Sequence, residues 1–226
     1  MTTRVSRRTA LISGAAAFSL LATRSKLFAA SQETTWHDVQ DWGLEGRGFD
    51  DTEKYFDRLP ARAKGVVRDA VWNLSRHSAG MMVQFRTDAQ TIHVDHLVTS
   101  ANLAMPHMPA TGVSGLDLYA RDEEGQWRWV AVTQPNNQHM QTEIANGLRP
   151  GTRDYAIYLP LYNGTESLKI GVPAGQTFEP VAPRTEKPVV FYGTSITHGA
   201  CASRPGMPHP AILGRRLNRP TINLGL

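Results

Sequence analysis

Short stretches in which apolar and polar residues alternate occupy much of the chain between residues 36 and 181. Residues 81–86 and 91–98 alternate with a period of two, which is typical of strands that bury one face. Residues 116–120 and 126–132 flank a loop that ends in Gly125, and this arrangement predicts a hairpin. Several short strands at this spacing predict a β-sandwich or jelly roll.

Two more strands are predicted around a turn near the end of this region. Residues 155–162 and 166–172 have the composition of strands, and Asn163 and Gly164 lie between them. Both residue types tolerate a positive φ, so we expect a tight turn at this dipeptide.

The pattern changes after residue 178. Residues 178–188 contain three prolines and mixed charge, which is typical of a linker. Residues 189–192 then predict a short buried strand, residues 211–217 a short helix and residues 221–224 a second strand. Together they predict one β-α-β unit of a doubly wound domain, which needs about five such units.

The positive charge of the chain is concentrated at its N-terminus. The formal net charge is +4, and residues 1–31 contribute five basic residues and no acidic one: Arg4, Arg7, Arg8, Arg24 and Lys26. Without them the net charge is about −1, so the rest of the chain has no basic footprint for nucleic acid.

The same segment predicts export. Arg7 and Arg8 precede an apolar stretch at residues 10–22, and small residues follow at 29–31, which is the order of a twin-arginine leader. The stretch is too short to span a membrane. We expect a periplasmic or extracellular protein with no stable span in its mature chain, although an uncleaved anchor or a misplaced start codon would also fit. Cys201 is the single cysteine, so no internal disulfide can form, and a packed or tolerated thiol is its expected role.

Residues 193–199, Gly-Thr-Ser-Ile-Thr-His-Gly, carry a serine directly after the predicted strand. A P-loop would need a lysine after the last glycine, and the nucleophile elbow of α/β-hydrolases would need glycine where Thr197 stands. A dinucleotide fingerprint is absent. The local pattern leaves two interpretations open: a tight turn with a capping serine, or a nucleophile.

The wider sequence resembles one family. The block at 193–197, residues 201–217 and residues 222–225 resemble the GDSL-like (SGNH) serine esterases, in the branch whose first block reads G-T-S-I-T. That branch carries an upstream β-domain named for the motif G-x-D-L-Y, which residues 115–119 match, and residues 104–112 are also similar to it. The resemblance covers residues 36–226 and implies a mainly β fold, in which a jelly-roll-like β-sandwich precedes the start of a flavodoxin-like α/β hydrolase domain.

We therefore expect four segments along the chain: a twin-arginine leader at 1–31, the β-sandwich at 32–180, a linker at 181–187 and the start of the hydrolase domain at 188–226.

The resemblance also implies a mechanism. Ser195 matches the nucleophile that forms an acyl-enzyme, and its own N–H matches one oxyanion donor. Thr194 stands where other members have aspartate, which puts a role specific to that aspartate in doubt. The remaining donors, a glycine and an asparagine, and the Asp-x-x-His pair are expected beyond residue 226, so we expect this chain alone not to turn over esters. The implied substrate is an O-acyl ester, such as an acetyl ester of a carbohydrate or small molecule, with no cofactor and no metal. The alternative is a non-catalytic β-sandwich module that binds carbohydrate or a partner and carries a vestigial hydrolase tail. The sequence does not indicate an oligomeric state.

Two histidines near Ser195 are weak candidates for the base. His198 lies three residues after Ser195 and is expected on the same face, and His209 is expected to start the predicted helix. A general base must reach the hydroxyl and be held by a third group. Neither histidine has an acidic residue nearby in sequence.

Other candidate sites have structural alternatives. His93 and Asp95 share a strand face while His96 faces the other way, so a solvated strand is favoured over a metal site. His107 lies in a loop that either contacts the hydrolase domain or has a structural role. Asp117 is expected to hydrogen-bond a neighbouring loop. A sugar-binding platform competes with the sandwich core as the role of four aromatic residues: Trp127, Trp129, Tyr155 and Tyr158.

Overall fold

The computed structural model describes residues 33–226; the predicted leader at 1–31 lies outside the described residues. The described part of the chain is mainly β. Its strands are β1 Thr34–Asp38, β2 Met82–Thr87, β3 Ile92–Val98, β4 Asp117–Arg121, β5 Trp127–Val132, β6 His139–Ala145, β7 Arg153–Tyr158, β8 Thr165–Pro173, β9 Phe178–Val181, β10 Val189–Gly193 and β11 Thr221–Gly225. Its α-helices are α1 Asp69–Ser75, α2 Ala110–Val113, α3 Ser195–His198 and α4 His209–Leu217, and single 3-10 turns lie at Val39–Asp41 and Ala61–Ala63.

Two antiparallel sheets form the predicted β-sandwich. One has the strand order β1-β8-β3-β6 and the other the order β5-β4-β7-β2-β9. The alternating apolar residues of both sheets meet in one buried core, whose sheet members are Val83, Phe85, Ile92, Val94, Leu118, Ile144, Tyr155, Ile157, Leu168 and Ile170. The alternation in the sequence therefore predicted this fold, including the hairpin of β4 and β5.

The C-terminal segment is the predicted β-α-β unit. β10 and β11 pair in parallel, with α3 and α4 between them in the chain. The prediction that β10 is buried was wrong, because Val190 is 53% exposed and Tyr192 is 85% exposed. Within residues 33–226, β10 pairs only with β11, and no described element covers these side chains.

The predicted linker begins with a strand. β9 pairs antiparallel with β2 at the edge of the five-stranded sheet, so the first four residues of 178–188 belong to the sandwich. Pro180 lies in this strand, and an edge is where proline is tolerated because one side of the strand makes no ladder bonds. Three prolines in the sequence obscured the strand.

An ion pair attaches the segment after β9 to the sandwich. The guanidinium of Arg184 donates to Glu45 through Nε at 2.6 Å and through Nη2 at 2.7 Å. Glu45 is 6% exposed, and Gln84 also donates to its Oε1 at 2.8 Å. A forked, partly buried pair of this kind restrains the orientation of both side chains and also contributes favourable energy.

The connection at Asn163 and Gly164 does not depend on a positive φ, which was the predicted reason for this dipeptide. Neither residue has a positive φ, and β7 and β8, which they connect, belong to different sheets. The Asn163 amide donates to Ser100 O and Ser114 Oγ and accepts from Ser100 N and Thr99 Oγ1. A Cβ on Gly164 would lie 2.6 Å from Arg76 O. Close packing at a crossover between sheets, and not a left-handed turn, therefore requires this dipeptide.

Candidate active site

Ser195 is the first residue of α3, and only Thr194 separates it from the end of β10. Its side chain is exposed, and its hydroxyl makes no hydrogen bond within residues 33–226. The N-cap of α3 is Thr194, which makes no side-chain capping bond, so the structure does not support the interpretation of Ser195 as a capping serine. The turn is so tight that a Cβ on Gly193 would overlap the Thr197 hydroxyl. The arrangement presents a free hydroxyl at the end of a strand.

His198 does not face solvent beside Ser195. It is 0% exposed, its Nε2 contacts the carbonyl of Leu161, and its ring stacks on Tyr162 at 4.1 Å. Burial, with the nearby charge of Arg58, lowers the pKa of His198 to about 2. The expectation that His198 shares a face with Ser195 was wrong, and a buried neutral imidazole on backbone cannot serve Ser195 as its base.

His209 does start α4, as predicted. Its ring packs edge-on against Phe191 at 5.6 Å, and no carboxylate of residues 33–226 contacts it. A histidine without a group to orient it lacks the arrangement of a catalytic base.

The β-sandwich supplies the surroundings of α3. The Tyr162 hydroxyl lies 3.4 Å from the carbonyl of Ser195 and donates to it. From β11, the Asn223 amide donates to the carbonyl of Thr197 at 2.9 Å. Behind both lies the guanidinium of Arg58, 3.4 Å from His198 Nδ1. None of these three residues was predicted: Arg58 and Tyr162 come from segments without a motif, and Asn223, although it lies in the block at 222–225, meets them only in the fold.

Asp117 of the Gly-Leu-Asp-Leu-Tyr segment binds a loop of the C-terminal unit, as predicted. Its carboxylate is 0% exposed and accepts from Gly206 N at 2.8 Å and from Trp129 Nε1 at 2.9 Å. Arg204 lies 3.5 Å away. Burial raises the pKa of Asp117 to about 6, and these donors and cations oppose the shift. Asp117 therefore joins the sandwich to the loop between α3 and α4.

The four aromatic residues proposed as a sugar platform do not form one. Tyr155 lies in the sandwich core and Tyr158 in a second buried cluster beneath α4. The guanidinium of Arg121 lies over Trp127 at 4.5 Å, and that of Arg204 lies over Trp129, which is 50% exposed, at 4.8 Å. Tyr155 and Tyr158 agree with the interpretation as core, whereas Trp127 is partly buried and Trp129 is exposed beneath Arg204.

The remaining candidates are structural or solvated. His96 is buried and bonds Thr165 Oγ1 at 3.2 Å, on the face opposite Asp95, which pairs with His139 at 2.7 Å. In the part of the chain that the structure describes, no group of histidine, cysteine and acidic residues is placed to hold a metal ion. His107 and Cys201 are exposed. Within residues 33–226, no helix is long and apolar enough to cross a membrane.

Family models match both parts of the described chain. Residues 34–178 match the GxDLY model, described as the N-terminus of SGNH-hydrolase-type esterases. Residues 186–226 match the GDSL-like lipase/acylhydrolase family. No curated protein shows significant similarity to the chain.

Solved structures show the same architecture. A protein of Bacteroides ovatus described as a GDSL-like lipase is 31% identical over 86% of the chain, with a TM-score of 0.80. The salicylyl-acyltransferase SsfX3 of a tetracycline biosynthetic pathway is 18% identical over 85% of the chain, with a TM-score of 0.63. A family two carbohydrate esterase of Cellvibrio japonicus is 10% identical over 84% of the chain, with a TM-score of 0.51. The chain spans 57%, 54% and 51% of the lengths of these three proteins.

Proposed function

The chain belongs to the SGNH-type esterases that carry a GxDLY N-terminal domain, and on this premise we propose that Ser195 is the nucleophile of an ester hydrolase. The observation that carries the proposal is the exposed, unbonded hydroxyl of Ser195 at the tight turn after β10, inside the segment that matches the hydrolase family. In the proposed reaction, Ser195 Oγ attacks the ester carbonyl as a base takes its proton, and the alcohol leaves with a proton. Water then releases the acid and restores the hydroxyl. The N–H of Ser195 is one oxyanion donor.

We place the base outside residues 33–226. His198 is buried against Leu161 and Tyr162, and His209 has no carboxylate partner among residues 33–226. A serine without a base is a weak nucleophile. The whole enzyme's activity therefore needs groups that the described residues do not bring to Ser195.

The proposed substrate is an O-acyl ester, such as an acetyl ester of a carbohydrate or small molecule. The fold shared with the carbohydrate esterase is compatible with this class, and hydrolysis of such an ester needs neither a cofactor nor a metal. We propose export through the twin-arginine leader at 1–31, a sandwich at 32–180 and the start of the hydrolase domain at 188–226. The alternative, a β-sandwich module that binds carbohydrate or a partner, is less supported, because two of its four candidate aromatic residues, Tyr155 and Tyr158, are buried.

The 226-residue chain alone is expected to hydrolyse p-nitrophenyl acetate no faster than its Ser195→Ala variant, because no described group can take the serine proton. The measurement is the initial rate of p-nitrophenolate release at equal concentrations of the two proteins. Ser203→Ala serves as the matched control on a nearby serine. A rate that falls in Ser195→Ala but not in Ser203→Ala would show that the chain itself supplies the base.

A further inference from the structure

Arg58 is a buried cation without an acidic partner among residues 33–226. It is 1% exposed. Its four shortest hydrogen bonds, of 2.7–3.1 Å, all go to backbone carbonyls. Burial lowers its pKa to about 9, which still leaves it charged at neutral pH. A buried charge is costly unless it is fully hydrogen-bonded, so the position of Arg58 calls for a reason.

The four carbonyls come from two different parts of the fold. Arg58 Nη2 donates to Leu74 O at 2.7 Å and Nε to His77 O at 2.8 Å, at and just after the C-terminal end of α1. Leu74 lies in the last turn of α1, where the backbone carbonyls favour a nearby cation. Nη1 donates to Asn223 O at 3.1 Å and to Gly225 O at 2.7 Å, at the C-terminal end of β11. One guanidinium thus joins the sandwich to this strand end.

The end of β11 also contacts the serine turn, the segment at residues 193–198 that carries Ser195. Leu226 N donates to Gly193 O at 3.0 Å, two residues before Ser195. The Asn223 amide donates to Thr197 O, and its Oδ1 accepts from Gly225 N at 2.9 Å. A Cβ on Gly225 would overlap the backbone nitrogen of His198. A displacement of this strand end would therefore move both the strand before Ser195 and the helix that it starts.

We propose that Arg58 is a positioning residue for Ser195: through β11 it lets the N-terminal sandwich set the place of the serine turn. The inference rests on the proposed function, since it assigns a role toward the proposed nucleophile. Arg58 acts through backbone carbonyls and contacts neither Ser195 Oγ nor an ester. The serine turn then depends on a residue 137 positions earlier in the chain, in the other part of the fold.

The test is amide hydrogen exchange in the 226-residue chain, read by NMR, for Arg58→Met and Arg58→Lys. In Arg58→Met we expect amide exchange to accelerate at Ala200 N, which donates to Ser195 O, and at Gly225 N. The factor of acceleration at these two amides should be about ten times or more the factor at core amides of β2 and β7. Arg58→Lys restores part of the protection because an ammonium can still donate to some of the carbonyls. Arg62→Met, at an exposed ion pair with Asp51, is the control and leaves all these amides unchanged.

A uniform acceleration of all amides in Arg58→Met, or no protection regained in Arg58→Lys, would overturn the positioning role. If Arg58→Met does not fold, Arg58→Lys against wild type decides alone: selective acceleration at Ala200 and Gly225 supports the role, and unchanged or uniform exchange contradicts it. Exchange does not depend on hydrolysis. An esterase without Ser195 dependence would remove the proposed function and leave this result in place.

Discussion

Asp117→Leu is expected to lower the free energy of unfolding by about 1–3 kcal/mol, the range for leaving buried hydrogen-bond donors without their acceptor. The substitution removes the acceptor of Gly206 N and Trp129 Nε1 and leaves Arg204 without its carboxylate. Urea unfolding monitored by tryptophan fluorescence measures the change. The motif aspartate is thus predicted to stabilise the junction between the sandwich and the loop before α4.

Two variants separate this account from a general effect of losing a charge. Asp117→Asn keeps the shape and one acceptor oxygen, so we expect a smaller loss than with leucine. Glu179→Leu removes an exposed carboxylate 3.5 Å from Arg86, and surface pairs contribute about 0–1 kcal/mol. Equal losses in Asp117→Leu and Glu179→Leu would contradict the role of the buried contacts.

Acid is expected to destabilise the protein below about pH 6.5, because three histidines are held neutral by burial. Desolvation lowers the pKa of His77 to about 4, of His96 to about 3 and of His198 to about 2. In the unfolded chain each titrates near 6.5, so the unfolded state binds more protons below that pH and stability falls as pH falls. Each group contributes about 2 kcal/mol between pH 6.5 and 5, at 1.36 kcal/mol per pKa unit. The loss is present in full only once pH has dropped below the folded pKa values.

Asp117 acts in the opposite direction over part of the same range. Its folded pKa is raised to about 6 from 3.8, so the folded state binds the proton first and this group stabilises the protein as pH falls from 6 toward 4. The three histidines have larger shifts, so the net slope still favours neutral pH.

The slope of unfolding free energy against pH, from urea titrations between pH 5 and 7.5, measures this effect. His96→Leu should reduce the slope by about the contribution of one buried histidine, whatever the substitution does to stability at a single pH. His139→Leu is the control, since the His139 side chain is 62% exposed. An unchanged slope in His96→Leu would show that His96 is not neutral through burial.

Sequence pattern predicted the sandwich because its information is local. β2 and β3 bury every second residue, and a period of two can be read without knowledge of the fold. β9 was missed because its proline is compatible with a strand only at a sheet edge, and edge position is a property of the whole sheet. The exposure of β10 was missed for a similar reason, since an apolar run does not indicate what covers it.

The candidate site divides in the same way. Ser195 could be proposed from the sequence because it lies in one family motif and a second motif, residues 115–119, lies upstream. The hydrogen bond of Asp117 to a neighbouring loop was expected and is present. Arg58 and Tyr162 could not be found, since each makes its contact across the interface between the two parts of the fold: Arg58 with Gly225 O of β11 and Tyr162 with Ser195 O. His198 was placed on the wrong face because helical spacing alone does not report which side the sandwich buries.

The central claim, that Ser195 is the nucleophile of an ester hydrolase completed outside residues 33–226, is tested most directly by extending the chain. The extension is the part of the Bacteroides ovatus protein that the chain does not cover, and p-nitrophenyl acetate hydrolysis is compared with and without Ser195→Ala. Cooperative urea unfolding first establishes that both extended proteins are folded. We predict that the extended protein hydrolyses the ester and that Ser195→Ala lowers kcat by about 10³-fold or more. Hydrolysis that a folded Ser195→Ala protein retains would contradict the account.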